Sequence, residues 1–215
     1  MQVKICGLKD AEMMDVAVSA GADFVGLVFF EKSPRHVTLD QAIKLAEIAR
    51  GRTKIVALVV DEQDAALEAL ATHLKPDYLQ LHGSETPERC DEIAARFRIP
   101  LIKALGVRSI DDVARADLYS SPELILFDAK ADPKVTALPG GNGIAFDWNL
   151  LHEQCEKRVF MLSGGLTPFN VQEAIRLTGA TMVDTSSGVE REKGVKDPDL
   201  IRDFIKQASL PATNE

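Results

Sequence analysis

The sequence predicts an α/β protein built as a single-domain (β/α)8 TIM barrel over residues 1–215. Three observations carry this. Eight apolar, strand-like runs alternate with helical patterns along the chain. Several runs are rich in Val, Ile, Leu and Phe without clean alternation, as in a parallel sheet buried on both faces. No linker or composition shift interrupts the 215 residues, a length that suits one ordinary domain. The alternative, a flavodoxin-like doubly wound sheet, normally needs fewer strands.

The runs cover residues 2–6, 23–29, 54–60, 78–81, 101–105, 123–127, 159–162 and 181–184. Helix signals lie between them. Thr86-Pro87, Thr167-Pro168 and Asp197-Pro198 each place a capping side chain before a proline at the first helical position. Ser109 precedes Asp111 and Asp112, whose charges suit a first helical turn. Gly21 and Gly179 follow helical patterns and suit left-handed stops. Cys90, Ile93, Ala94 and Phe97 form one helical face, so Cys90 reads as core; Cys155 belongs to no constellation and reads as structural. Residues 209–215 are polar and read as a frayed tail. Two connections are long, 30–39 and 129–146. Each follows a strand on the catalytic side of a barrel, where long loops are usually functional.

Composition narrows the function. A net charge of −8 disfavours nucleic acid and anionic membranes, so any anionic ligand needs local positive contacts. The apolar run Ile55-Val56-Ala57-Leu58-Val59-Val60 is too short to span a bilayer, and no secretory signal is legible. Three cysteines without framework spacing suit a reducing cytoplasm. No CxxC, HExxH or His/Cys cluster suggests a metal.

The strand ends hold the candidate chemistry. Lys4 and Cys6 share a face of the first strand, and Cys6 stands at its C-terminal end. A thiol there can act as a base or nucleophile if a nearby ammonium lowers its pKa, and Lys4 is the candidate; the competing reading is a packed core cysteine. Asp128 follows strand six, across the mouth from strand one, where a carboxyl and a thiol can form an acid–base pair; taken alone, it can equally cap its loop. His82, after strand four, can be structural or functional. Arg35, after Pro34, is a natural bidentate carboxylate clamp or an exposed surface arginine. Ser163-Gly164-Gly165 after strand seven and Asp184-Thr185-Ser186-Ser187-Gly188 after strand eight occupy the recurrent phosphate position of this fold; tight βα turns are the competing reading.

Taken together, the motifs resemble the phosphoribosylanthranilate isomerase family of tryptophan biosynthesis. Those that carry the resemblance are Lys4-Ile5-Cys6-Gly7, Gly26-Leu27-Val28-Phe29 with Ser33-Pro34-Arg35, Leu79-Gln80-Leu81-His82-Gly83 and Phe127-Asp128. They continue with Gly140-Gly141-Asn142-Gly143, Phe146-Asp147-Trp148, Ser163-Gly164-Gly165-Leu166 with Asn170-Val171, Asp184 to Glu190, and Gly194-Val195-Lys196-Asp197. They span nearly the whole chain in order. Asn142, Ser163 and Thr185 depart from the commoner residues.

The resemblance implies an Amadori rearrangement with no metal or other cofactor. It assigns Asp128 as general acid and Cys6 as general base. Arg35 falls to the anthranilate carboxylate, and Gly164, Gly165, Ser186, Ser187 and Gly188 to the phosphate. His82 and Asp184 line the same mouth with no step assigned. The expected partner is a small phosphorylated substrate, the expected assembly a monomer or homodimer, and the strand-six loop is expected to close over the substrate. Rival readings are a related sugar-phosphate isomerase on the same barrel and a non-catalytic phosphate-binding barrel. The histidine-pathway isomerase uses paired aspartates, whereas strand one here ends in Cys6; a pentose-phosphate epimerase needs a metal site.

Overall fold

The computed structural model describes residues 1–129 and 146–211. Eight parallel strands close into a barrel in sequence order. They are β1 Gln2–Cys6, β2 Phe24–Phe29, β3 Lys54–Val59, β4 Tyr78–Leu81, β5 Leu101–Val107, β6 Leu124–Ala129, β7 Phe160–Leu162 and β8 Met182–Thr185. β1 pairs with both β2 and β8, which closes the ring. The expected 129–146 loop with its glycine cluster, and its expected closure, lie outside the described residues apart from the two ends. So do the Cys155 side chain and residues 212–215.

The helices are α1 Ala11–Ser19, α2 Leu39–Ala49, α3 Asp64–Ala69, α4 Pro87–Phe97, α5 Ile110–Ala114, α6 Gln154–Lys157, α7 Val171–Thr178 and α8 Pro198–Ser209. Thr86, Ser109 and Asp197 cap as the sequence predicts, each accepting a backbone N–H of the first turn. Gly179 ends α7 in the left-handed region. One start is corrected. Asn170 Oδ1 accepts the Thr167 N–H at 2.7 Å, folding residues 167–170 into a turn, so α7 begins at Val171 rather than Pro168. A small antiparallel hairpin after β8, β9 Glu190–Glu192 with β10 Val195–Lys196, has strands too short to leave an apolar run.

Side chains of alternate residues point into the barrel. The lower interior is apolar, with Phe24, Val56, Ile102, Leu124, Leu126 and Met161 in one cluster. The same register places Lys4, Cys6, Gln80, Asp128 and Asp184 on the inward face near the C-terminal ends. The larger core lies between strands and helices. A separate cavity of ≈ 480 Å³, lined by residues including Phe29, His36, Leu39 and Leu70, opens on the helix side of β2 and includes neither Cys6 nor Asp128.

Candidate active site

Cys6 ends β1 and is 4% exposed. Its sulfur occupies the space a side chain at residue 26 would need: a Cβ there would stand 2.7 Å from Sγ, so Gly26 on the adjacent strand makes room for the thiol. Lys4, one step down the same face, is wholly buried and donates to Asp184 Oδ1 at 2.9 Å. Ser163 Oγ donates to the other oxygen, Oδ2, at 3.1 Å. Thus β1, β7 and β8 are joined around the thiol. Burial pushes the Cys6 thiol up; Lys4 and then Lys196 pull it down, and Asp184 pushes it up. Lys4 therefore acts in the expected direction, but burial outweighs it, and the thiol stands above its ordinary value.

A second set forms around Asp128. Asp128 is 5% exposed. Its Oδ1 accepts the Ala129 N–H at 2.8 Å, and its Oδ2 lies 3.2 Å from His82 Nε2. His82 Nδ1 lies 2.8 Å from Gln80 Nε2. If this amide nitrogen donates to Nδ1, the ring carries its proton on Nε2, directed at Asp128. β6 reaches Ala129, so Asp128 is a strand residue with a fixed backbone rather than the first loop residue. His82 touches the acid candidate directly.

Arg35 is not an exposed arginine. It is 4% exposed and makes a bidentate pair with Glu190, Nε to Oε1 at 2.7 Å and Nη2 to Oε2 at 2.8 Å. Lys196 donates to the same Oε1 at 2.9 Å and to the Ser186 carbonyl at 2.8 Å. Ser186 Oγ in turn donates to the Cys6 carbonyl at 3.0 Å. Composition and spacing do not point to Glu190 or Lys196. Their only sequence signal was membership of the last two motifs.

The two glycine-containing turns pack together. Gly164 and Gly165 have φ of +91° and +68°, and Asn170 Nδ2 donates to the Gly165 carbonyl at 3.0 Å. Thr185 Oγ1 donates to the Leu166 carbonyl at 2.8 Å. Gly188 lies so close to that carbonyl that a Cβ would stand 1.7 Å from its oxygen. Gly164 also lies against the Asp128 carboxylate, 3.2 Å from a built Cβ to Oδ1. The structure therefore gathers Cys6, His82, Asp128, Asp184 and both turns at one end of the barrel, with Arg35 tied in through Glu190 and Lys196. Among the described residues no group of three His, Cys, Asp or Glu side chains could hold a metal ion, and no helix is long and apolar enough to cross a membrane.

The family profile and the curated relatives point to one family. The family profile described as N-(5'phosphoribosyl)anthranilate (PRA) isomerase matches residues 3–207. The chain is 53% identical over 209 residues to the N-(5'-phosphoribosyl)anthranilate isomerase of Rhodopseudomonas palustris strain BisA53, covering 97% of this chain and 95% of that one. It is 52% identical over 213 residues to the isomerase of Paracoccus denitrificans, covering 98% of each. A crystal structure of phosphoribosyl anthranilate isomerase from Thermotoga maritima superposes with a TM-score of 0.87 at 37% identity, covering 97% of this chain and 98% of that one. A phosphoribosyl anthranilate isomerase in complex with reduced 1-(o-carboxyphenylamino)-1-deoxyribulose 5-phosphate superposes with a TM-score of 0.84 at 36% identity and the same coverage. On the profile match, these identities and the shared barrel, the chain belongs to the N-(5'-phosphoribosyl)anthranilate isomerase family.

Proposed function

We propose that this chain rearranges N-(5-phosphoribosyl)anthranilate to 1-(2-carboxyphenylamino)-1-deoxyribulose 5-phosphate, with Asp128 as general acid and Cys6 as general base. The observation that carries the reading is the division of one barrel mouth into two titratable sets. One centres on Cys6 with Lys4 and Asp184, the other on Asp128 with His82. Groups held in different environments are what acid and base roles require.

Asp128 gives its proton to the ribose ring oxygen as the C1–O bond breaks, leaving an iminium ion between C1 and the anthranilate nitrogen. That cation makes the C2 proton acidic, and the Cys6 thiolate removes it. The electron pair forms the C1–C2 double bond of an enolamine. Protonation at C1 and loss of the C2 hydroxyl proton give the ketone. The proton on Cys6 returns to Asp128 through solvent. Burial of the thiol lowers the ionised fraction but makes the thiolate a stronger base once formed.

Glu190 fixes the orientation of the Arg35 guanidinium, and Arg35 is the group that meets the anthranilate carboxylate. The phosphate lies at Gly164, Gly165, Ser186, Ser187 and Gly188, where backbone N–H groups can approach it. Assembly is as a monomer or homodimer; a related Thermotoga maritima isomerase is described as dimeric. Two buried free thiols, Cys6 and Cys90, fit a cytoplasmic setting.

The test is the decay of anthranilate-type fluorescence when the protein meets freshly made N-(5-phosphoribosyl)anthranilate. Wild type should be fast, with Cys6→Ser and Asp128→Asn each slower by ~10²–10⁴-fold while folded. No decay with folded wild type overturns the reaction. Near-full activity in Cys6→Ser overturns the base assignment.

A further inference from the structure

Outside the barrel wall, a buried ion pair has no place in the chemistry above. Lys103 on β5 is 1% exposed and Glu85, after β4, is 5% exposed; the ammonium and Glu85 Oε2 are 2.7 Å apart. Lys103 also donates to the Leu81 carbonyl at 3.2 Å and the Gly83 carbonyl at 2.9 Å. Glu85 Oε1 accepts the Asp61 N–H at 2.9 Å, and Oε2 accepts the Gly83 N–H at 3.0 Å. Tyr119 adds a hydroxyl to the Glu85 carbonyl at 3.0 Å and a ring 6.0 Å from the ammonium.

Stability alone is a weak account of this pair. A buried salt bridge loses hydration on both charges, and apolar replacements of similar volume are often as stable. What the pair does hold is one short stretch of backbone. The two carbonyls that Lys103 grips belong to the residues on either side of His82, and Glu85 grips the N–H that follows it. The His82 N–H itself is fixed to the Val59 carbonyl at 2.9 Å. His82 is thus clamped before and behind, and its ring meets Asp128.

We propose that Lys103 and Glu85 are positioning residues of the reaction: from outside the barrel they fix the backbone on both sides of His82, and through it the hydrogen bond to Asp128. The inference rests on Asp128 being the general acid. A displacement of about 1 Å at such a contact costs up to ~10²-fold in rate. Arg35 and the phosphate turns follow β2, β7 and β8, away from β4 and β5, so substrate binding is unaffected.

The experiment compares wild type with Lys103→Met/Glu85→Gln, which removes both charges and so avoids stranding one of them. Three quantities are read: thermal unfolding, the kcat and KM split, and the imidazole N–H proton resonance of His82. The expected result is a folded double variant with kcat lower by ~10–100-fold, KM within about twofold of wild type, and the His82 N–H resonance lost to exchange. A folded double variant with unchanged kcat and an intact resonance overturns the proposal and leaves the pair structural. If the double variant does not fold, Glu85→Gln alone is judged by the same three readings. If wild type shows no turnover, the proposed function falls, and the resonance still decides whether the pair positions His82.

Discussion

Lys4 and Asp184, 180 positions apart, meet at 2.9 Å inside the barrel where the first strand joins the last. The pair closes the ring and also lies one step below the candidate base. Its two members act on that base in opposite directions: Lys4 favours the Cys6 thiolate and Asp184 opposes it, while burial outweighs both. Replacing Lys4 by Met removes the favourable charge and leaves Asp184 unbalanced. The Cys6 titration midpoint should rise, and alkylation of Cys6 at pH 8 should slow several-fold. Stability should fall by about 3–5 kcal/mol, since one member of a buried pair is left alone. Lys4→Met/Asp184→Asn should recover much of that stability. An unchanged thiol midpoint in Lys4→Met would remove Lys4 from the account of the base.

The cluster of Arg35, Glu190 and Lys196 gives a pH signature. Burial pushes the Glu190 carboxyl up, but the Arg35 hydrogen bonds, the Lys196 charge and the Gly194 N–H outweigh it and hold it down at about 2, against an ordinary value of 4.5. A carboxyl lowered on folding stabilises above its unfolded pKa, and that stability is lost as pH falls through the folded one. The window is therefore pH 4.5 down to about 2, and the pH-linked term is on the order of 3 kcal/mol. Lys196 works the other way. Burial lowers it to about 8 in spite of Glu190, so the folded state binds fewer protons there than the unfolded chain. Stability should rise between pH 8 and 10.5. The shared carboxylate holds the Arg35 guanidinium and the Lys196 ammonium in fixed positions. In Glu190→Gln, urea midpoints measured from pH 3 to 5 should lose most of their slope. A slope equal to that of wild type would mean that the pair does not persist in solution.

Much of the scaffold was legible because the parallel barrel writes itself as apolar runs, and because Thr86, Ser109 and Asp197 announce helix starts through local chemistry. Cys6 and Asp128 were legible as strand-end residues on opposite sides of the mouth. What the sequence did not carry is the set of partners that folding brings together. Nothing near Arg35 in the chain points to Glu190, 155 positions away, and nothing near His82 points to Asp128. The sign of the Cys6 shift was likewise hidden. Strand parity reveals the ammonium of Lys4 but not the depth of burial, and burial decides the outcome. The α7 start failed for a local reason: Thr167-Pro168 is a sound cap pattern, but Asn170 takes the Thr167 N–H first.

The phosphate turns can be tested by separating space from backbone conformation. At Gly188 an added Cβ would meet the Leu166 carbonyl oxygen at 1.7 Å, and that carbonyl is already held by Thr185 Oγ1. Neither backbone can move without displacing the other turn, so Gly188→Ala must disturb both. At Gly21 an added Cβ meets nothing within 4 Å, but φ is +95°, so Gly21→Ala meets backbone strain alone, about 1–2 kcal/mol. Gly21 ends a helix on the far side of the barrel from the site, before β2. The expectation is that Gly21→Ala loses a little stability in urea and keeps wild-type kcat and KM. Gly188→Ala should lose about 1–3 kcal/mol through the forced shift, and its KM should rise at least about tenfold, equivalent to ~1.4 kcal/mol of substrate binding. Inhibition by inorganic phosphate should weaken in parallel. If Gly188→Ala folds and keeps both KM and phosphate inhibition, the turns after β7 and β8 are packing devices and the phosphate must be held elsewhere.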